Sequence, residues 1–317
     1  MFKTHQGEIM SKFIILPDVT CDMSKEMQEY FGLKDYIKGH VHINEKEYTT
    51  TLDWNEISRN DFYKYLSDKK AEVSSAAASP EEYYLAFKKY VEEGYAVLSM
   101  SISSTISGTY NISVTAANRI KEEFPDAKIY CVDTKRMSGS FGLLVAYALE
   151  LQANGKTYEE VIAWLEENKT KVHQMGPIDD LTFIARRGRI SKGKAFMGNL
   201  VGIKPMGDSN QDGYVTVLAK VKGMKKALDA TVSYVQRVAK DLENQYIFIL
   251  HSDREEYANN LKDKLANAVN CKKIFVGDIH SACGTNIGPG MVCTYFLGDD
   301  ISADCQVERE ILNSIVE

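Results

Sequence analysis

The chain has no long apolar run, no excess of positive charge and no paired-cysteine motif, and each absence excludes a class of protein. No apolar segment is long enough to cross a bilayer, whose hydrocarbon core takes about 20 helical residues. The opening stretch Met1-Phe-Lys-Thr-His-Gln-Gly-Glu-Ile-Met10 lacks the apolar centre of a signal peptide, so a cytoplasmic location is expected and Met10 offers an alternative start. A net charge of −6 argues against nucleic acid as the main partner. The six cysteines, Cys21, Cys131, Cys271, Cys283, Cys293 and Cys305, include no Cys-x-x-Cys pair and are too few for a disulfide framework. They read as small buried thiols in a reducing compartment. There is no Gly-x-Ser-x-Gly elbow, no His-Glu-x-x-His helix, no internal repeat and no low-complexity segment.

What is present fits a globular protein of 317 residues, 44% hydrophobic and 26% charged, long enough for two domains. In the first half, strands are expected at 13–17, 36–43, 95–100 and 128–133. They alternate with helices at 25–31, 57–66, 80–93, 111–120, 143–153 and 158–171. That alternation predicts a parallel sheet with helices on both faces. Ser79, Pro80 and Glu82 form a helix-start signal that follows the stretch Ser74-Ser-Ala-Ala-Ala78. The second half predicts an apolar stretch at 196–203 broken by Lys204-Pro205, then a turn at 208–213. Strands are expected at 215–219, 246–250, 273–277 and 291–297, with helices at 224–242 and 255–268. The domains are expected at 12–172 and 173–298, with tails at 1–11 and 299–317. Ile311, Leu312 and Ile315 share one face of a short helix in the second tail.

The stretch that organises this reading is Ile102-Ser-Ser-Thr-Ile-Ser-Gly-Thr-Tyr110. It leads from a buried strand into a helix and carries five hydroxyl groups before Tyr110. A loop at a helix N-terminus offers unpaired N–H groups, which suit a carboxylate or phosphate; the plainer reading is ordinary N-capping. Asp18 and Thr20 end the first strand, where open α/β sheets bind ligands. Other motifs fail on inspection. Gly188-Arg-Ile-Ser-Lys-Gly-Lys194 mimics a phosphate-binding loop, yet Ala195 stands where the magnesium-holding hydroxyl belongs. Asp208-Ser-Asn-Gln-Asp-Gly213 mimics half a calcium loop, yet its twelfth position is Ala219 instead of Glu. His40 and His42 share one strand face, without a third ligand to complete a metal set.

Several segments in order resemble the DegV family of bacterial lipid-binding proteins. They are Asp18-Val-Thr20, the hydroxyl loop, Asp179-Asp-Leu with Gly188-Arg-Ile-Ser191, Lys204-Pro205, Asp212-Gly213, Lys220-Val-Lys-Gly223 with Lys226-Ala227, and Gly288-Pro-Gly290. The resemblance runs from about residue 12 to 298. It implies an α/β, two-domain DegV-like fold, with a parallel-sheet N-terminal domain, an α/β C-terminal domain and a lipid site between them. It also implies a non-catalytic carrier that hands a bound fatty acid to a separate fatty acid kinase, with no cofactor or metal. Ser75, Ser103, Ser104, Gly108 and Asn286 are expected at the carboxyl group, and Arg189 and Lys222 at a partner or phosphate. Three positions depart from the family: Ser75-Ala-Ala-Ala-Ser79 replaces Thr-Ser-Gln-Pro-Ser, Asn286 replaces a His, and Lys222 replaces an Arg.

Arg186, Arg187, Arg189, Lys192 and Lys194 form the densest basic cluster in an acidic chain. They read either as a docking face or as a solvated helix end. Two alternatives stand beside the carrier: a binding module for another amphipathic ligand, and an enzyme acting on a lipid with a Ser of the loop as nucleophile. The second lacks a recognisable base in the sequence.

Overall fold

The computed structural model describes residues 12–190 and 202–317. The tail 1–11, Lys192, Lys194, most of the apolar stretch 196–203 and the end of the phosphate-loop mimic lie outside the described residues. In chain order the first part supplies β1 (Phe13–Pro17), α1 (Lys25–Phe31), β2 (His40–Ile43), β3 (Lys46–Thr49), α2 (Arg59–Ser67), β4 (Val73–Ala76), α3 (Pro80–Glu92), β5 (Ala96–Ser101), α4 (Thr109–Glu123), β6 (Ile129–Asp133), α5 (Ser138–Ala153) and α6 (Tyr158–Asn168). The second part supplies β7 (Val172–Met175), α7 (Thr182–Arg186), β8 (Ile203–Ser209), β9 (Val215–Lys222), α8 (Met224–Val238), β10 (Tyr246–His251), α9 (Glu255–Ala268), β11 (Lys273–Asp278), α10 (Ser281–Ile287), β12 (Val292–Leu297) and α11 (Gln306–Val316).

The expected parallel sheet exists, in the order β1-β5-β6. All six residues of β5 are buried, as a strand covered on both faces must be. The sheet is smaller than the alternation suggested. β2, β3 and β4 form a separate antiparallel sheet in the order β3-β2-β4. β4 overlaps the stretch before α3, where no strand was expected. Val73-Ser-Ser-Ala76 has little strand propensity of its own, and it is extended because β2 pairs its backbone groups along that edge. Ser79 caps α3 as expected: its hydroxyl accepts from Glu82 N at 3.2 Å, and Glu82 accepts from Ser79 N at 2.7 Å.

The second sheet runs β11-β10-β12-β7, with one parallel and two antiparallel pairings. The expected division at residue 172 falls at the start of β7. Lys204-Pro205 does not break the chain; both residues lie in β8, which pairs antiparallel with β9, while on its other edge Met206 bridges Pro177 and Pro205 O accepts from Ile178 N at 3.1 Å. Proline is tolerated there because it still offers its carbonyl to Ile178, and that edge of β8 carries an isolated bridge in place of a full ladder that would need its N–H. β8 continues through Ser209, so the turn shrinks to 210–213, closed by Gly213 N to Asn210 O at 3.0 Å. The expected second tail is built in as well. α11 buries Leu312, and Arg309 donates from Nη1 to Val217 O at 2.9 Å.

Helix α5 joins the two halves. Twelve of its sixteen residues are buried, so it is apolar on every side, as a helix enclosed by other elements is. Its Phe141, Leu143, Leu144 and Val145 share one core with Leu98 and Met100 of β5 and with Phe248, Leu250 and Tyr295 of the second sheet. Close approach explains the glycines in its first turns: a Cβ at Gly142 would meet Cys21 O at 2.3 Å, and one at Gly139 the Tyr295 ring.

The second half also holds a buried ion pair. His173 Nδ1 lies 3.0 Å from Asp208 and Nε2 lies 2.9 Å from Asp299 O, so both ring nitrogens face acceptors. Burial opposes the charged imidazole, but the bond to Asp208 and its charge hold the pKa above the ordinary 6.5. The stabilisation is therefore complete below pH 6.5 and is lost as pH rises through the raised folded value. Urea unfolding midpoints should fall on raising the pH above that range, and the His173→Gln variant should show a flatter profile.

Candidate functional site

The site begins where β1 and β5 end side by side. Asp18 follows β1, and its N–H donates to Met100 O at 3.0 Å. Its carboxyl is almost fully buried. Oδ1 accepts from Thr20 N at 2.8 Å and from the Thr20 hydroxyl, and Oδ2 accepts from Ile102 N at 2.9 Å. Burial pushes its pKa up to about 6, against the pull of these three donors. The acid thus fastens the first residue of the hydroxyl loop to the end of β1.

Beyond Asp18 lies a cavity of about 130 Å³. Its polar wall carries Ser75, Ser107, Thr109, Ser138 and Asn286, with Lys38 and Arg189 also contributing. Its apolar wall carries Ile102, Ile106, Ile184, Val215 and Ile287. A second, mostly apolar cavity of about 60 Å³ adjoins it, sharing Met137, Ser138, Ile184, Val215 and Ile287 and adding Met206, Val217 and Tyr295. The two are separated by these shared side chains; the hydroxyl and amide groups line the first, and the second is mostly apolar.

Two of the expected carboxyl-binding residues meet here. Asn286 Nδ2 on α10 donates to Ser75 Oγ on β4 at 3.1 Å, and Arg189 lines the same cavity. Ser103, Ser104 and Gly108 are not brought to the cavity wall. The Ser104 hydroxyl donates to Asp133 at the end of β6, and Lys135 Nζ approaches it at 3.1 Å. Burial raises the Asp133 pKa, but the Lys135 and Ser104 bonds outweigh it and hold the carboxyl below its usual range. Ser103 is fully buried against Gly213, and Gly108 opens α4 with no close neighbour. Lys222 is exposed at the end of β9, away from the cavity wall. From the same loop, Ser107 and Thr109 take the inward places, with their hydroxyls 2.7 Å apart. The sequence showed a run of hydroxyls but not which would point inward. Nor did it mark Tyr83 or Ser138 as wall residues. His40, which shares a strand face with His42, lies 3.3 Å from Glu47 and 3.0 Å from Glu82.

The loop is clamped from the other side by the 210–213 turn. The Thr105 hydroxyl donates to Asp212 O at 2.5 Å. Arg136 is fully buried, donating from Nη1 to Lys135 O at 2.8 Å and Asn210 O at 3.2 Å; burial lowers its pKa to about 10.

The family model for DegV, described as an uncharacterised protein family, matches residues 12–298. The chain belongs to the DegV family. A DegV domain-containing protein of Clostridium perfringens is 34% identical over 290 residues, covering 92% of this chain and 99% of that protein. Among solved structures, a DegV family protein from Thermus thermophilus, described for its fatty acid binding, superposes with a TM-score of 0.81 at 25% identity. That match covers 90% of this chain and 99% of the other. The B3 protein of Streptococcus pneumoniae fatty acid kinase, loaded with linoleic acid, superposes at 0.77 with 19% identity, over 91% and 100% of the two chains. These matches fit the two-part α/β architecture described above.

The clamp gives this DegV protein a sharp test. Gly213 has a φ of +92°, and a Cβ there would sit 2.0 Å from Ser103 Oγ. Gly213→Ala should destabilise the fold by about 1–3 kcal/mol, read from the urea midpoint. An unchanged midpoint would show that the loop is not held by this contact.

Proposed function

We propose that this DegV protein is a carrier that buries a long-chain fatty acid and presents its carboxyl group to a separate fatty acid kinase. The observation that carries the reading is the paired cavity, hydroxyl-lined at one end and apolar at the other. Ser75, Ser107, Thr109 and Asn286 surround the carboxyl group, and the acyl chain runs past Ile184 and Val215 toward Met206 and Val217. The chain has to part the side chains shared by the two cavities. Burying about 14 methylenes at ~0.8 kcal/mol each supplies on the order of 11 kcal/mol before the costs of association. The carboxylate needs donors in exchange for its lost water, and neutral hydroxyl and amide groups provide them without a fixed ion pair. The fatty acid bound by the Thermus protein and the kinase membership of the pneumococcal protein support the same reading.

The carrier does no chemistry of its own in this view. Among the described residues, no hydroxyl of the loop is hydrogen-bonded to a histidine. The Ser104 hydroxyl donates to a carboxylate, and Ser107 pairs with Thr109. That arrangement disfavours the serine-nucleophile alternative. No described helix is long and apolar enough to cross a membrane, and the reading places the carrier in the cytoplasm with its kinase. Arg189 reaches the cavity beside the backbone of Arg187 and is suited to a phosphate or an acidic partner.

Native mass spectrometry of the purified protein should show a non-covalent adduct of fatty-acid mass; absence of any lipid adduct and of measurable fatty-acid binding counts against the carrier. In competitive displacement of a fluorescent fatty acid, Ser107→Ala should weaken fatty acids roughly ten- to hundredfold through one lost charge-assisted bond. Fatty alcohols of equal length should respond far less. Ser104→Ala should leave acid affinity within about twofold, because its hydroxyl serves Asp133; the reverse order would reassign the carboxyl to Ser104. Arg189→Ala should retain lipid but lower acyl-phosphate production with the cognate kinase, and equal production would remove Arg189 from the docking role.

A further inference from the structure

One polar group in the cavity wall has no role in holding a simple carboxylate. Tyr83 of α3 is fully buried and lines the cavity, and its hydroxyl has no hydrogen-bond partner. Ser101 lies beside it, and the two hydroxyls interact without meeting in a hydrogen bond of ordinary geometry. A buried hydroxyl left unpaired is destabilising, which sets it apart from the apolar wall. Asp18 lines the same cavity, and its Oδ2 accepts only the Ile102 amide, leaving room for a second donor. A donor-acceptor pair of this kind is matched by a group that both donates and accepts, such as an alcohol. A second carboxylate would be repelled by Asp18, and a methylene would leave Tyr83 unpaired.

We propose that Asp18 and Tyr83 form a hydroxyl subsite, and that the preferred ligand is a fatty acid hydroxylated close to its carboxyl group, at carbon 2 or 3. The ligand hydroxyl donates to Asp18 Oδ2 and accepts from Tyr83. The position follows from the loop: Ile102, bonded to Asp18, begins the segment that ends in Ser107 and Thr109 in the polar wall of the cavity. A hydroxyl far along the chain would fall among Met206, Val217 and Ile287 instead. This proposal rests on the reading of the cavity as a fatty-acid site.

The test is displacement of a fluorescent fatty acid from the full-length protein by palmitate, 3-hydroxypalmitate and 12-hydroxystearate. Wild type should bind 3-hydroxypalmitate roughly tenfold tighter than palmitate, with 12-hydroxystearate the weakest. In Tyr83→Phe, which keeps the ring, the ratio of the first two affinities should fall to about one. Equal or tighter binding of palmitate by wild type overturns the subsite while leaving the carrier reading intact, since water would then suffice for Tyr83. A ratio unchanged in Tyr83→Phe also overturns it. Failure of wild type to bind any of the three acids overturns the subsite and the carrier reading together. The ligand series on wild type decides the matter even if the variant folds poorly.

Discussion

The burial of helix α5 is the constraint on which the rest of the structure depends. A helix that is apolar on every side has no solvent face, so protein has to surround it. The parallel sheet supplies one part of that cover and the mixed sheet another, and the three elements share a single core. The two halves therefore cannot separate without exposing Phe141, Leu144 and their neighbours, each worth about 1.5–3 kcal/mol when buried. The two cavities lie off the N-terminal end of this helix, where Met137 and Ser138 form part of the wall of both.

Around that fixed joint, polar groups do the finer positioning. Asp18 ties the hydroxyl loop to β1, Asp133 and Lys135 hold Ser104, and the 210–213 turn closes over Ser103 and Thr105. Arg136 spans from the end of β6 to that turn without meeting a carboxylate in a direct bond. A buried cation is costly and adds little net stability, but its two carbonyl contacts fix the register of the halves where the cavity lies. The loop's outer hydroxyls are thereby committed to structure, and its last two, Ser107 and Thr109, line the cavity. The cavity is held on this side by these bonds and gains its second wall from β4 and α10, through the Asn286–Ser75 bond.

The order and type of most elements were legible in the sequence, because they follow from local patterns. The apolar run before Ser101 gave β5, and Ser79-Pro80 with Glu82 gave the start of α3. The ordered motifs marked the family, and the hydroxyl loop marked one end of the site. Tertiary structure decided what depends on partners distant in the chain. β4 is a strand only because β2 needs an edge partner, and Pro205 lies within a strand because β9 pairs with β8 along its length while the other edge carries an isolated bridge. Ser104 turns away from the cavity because Asp133, 29 residues later, takes its hydroxyl. The direction of a side chain within a loop is set by such long-range bonds and by where the next helix begins. Composition and spacing could name the loop's hydroxyls; only folding could bring Ser107 and Thr109 to the cavity wall together with Tyr83 and Asp18.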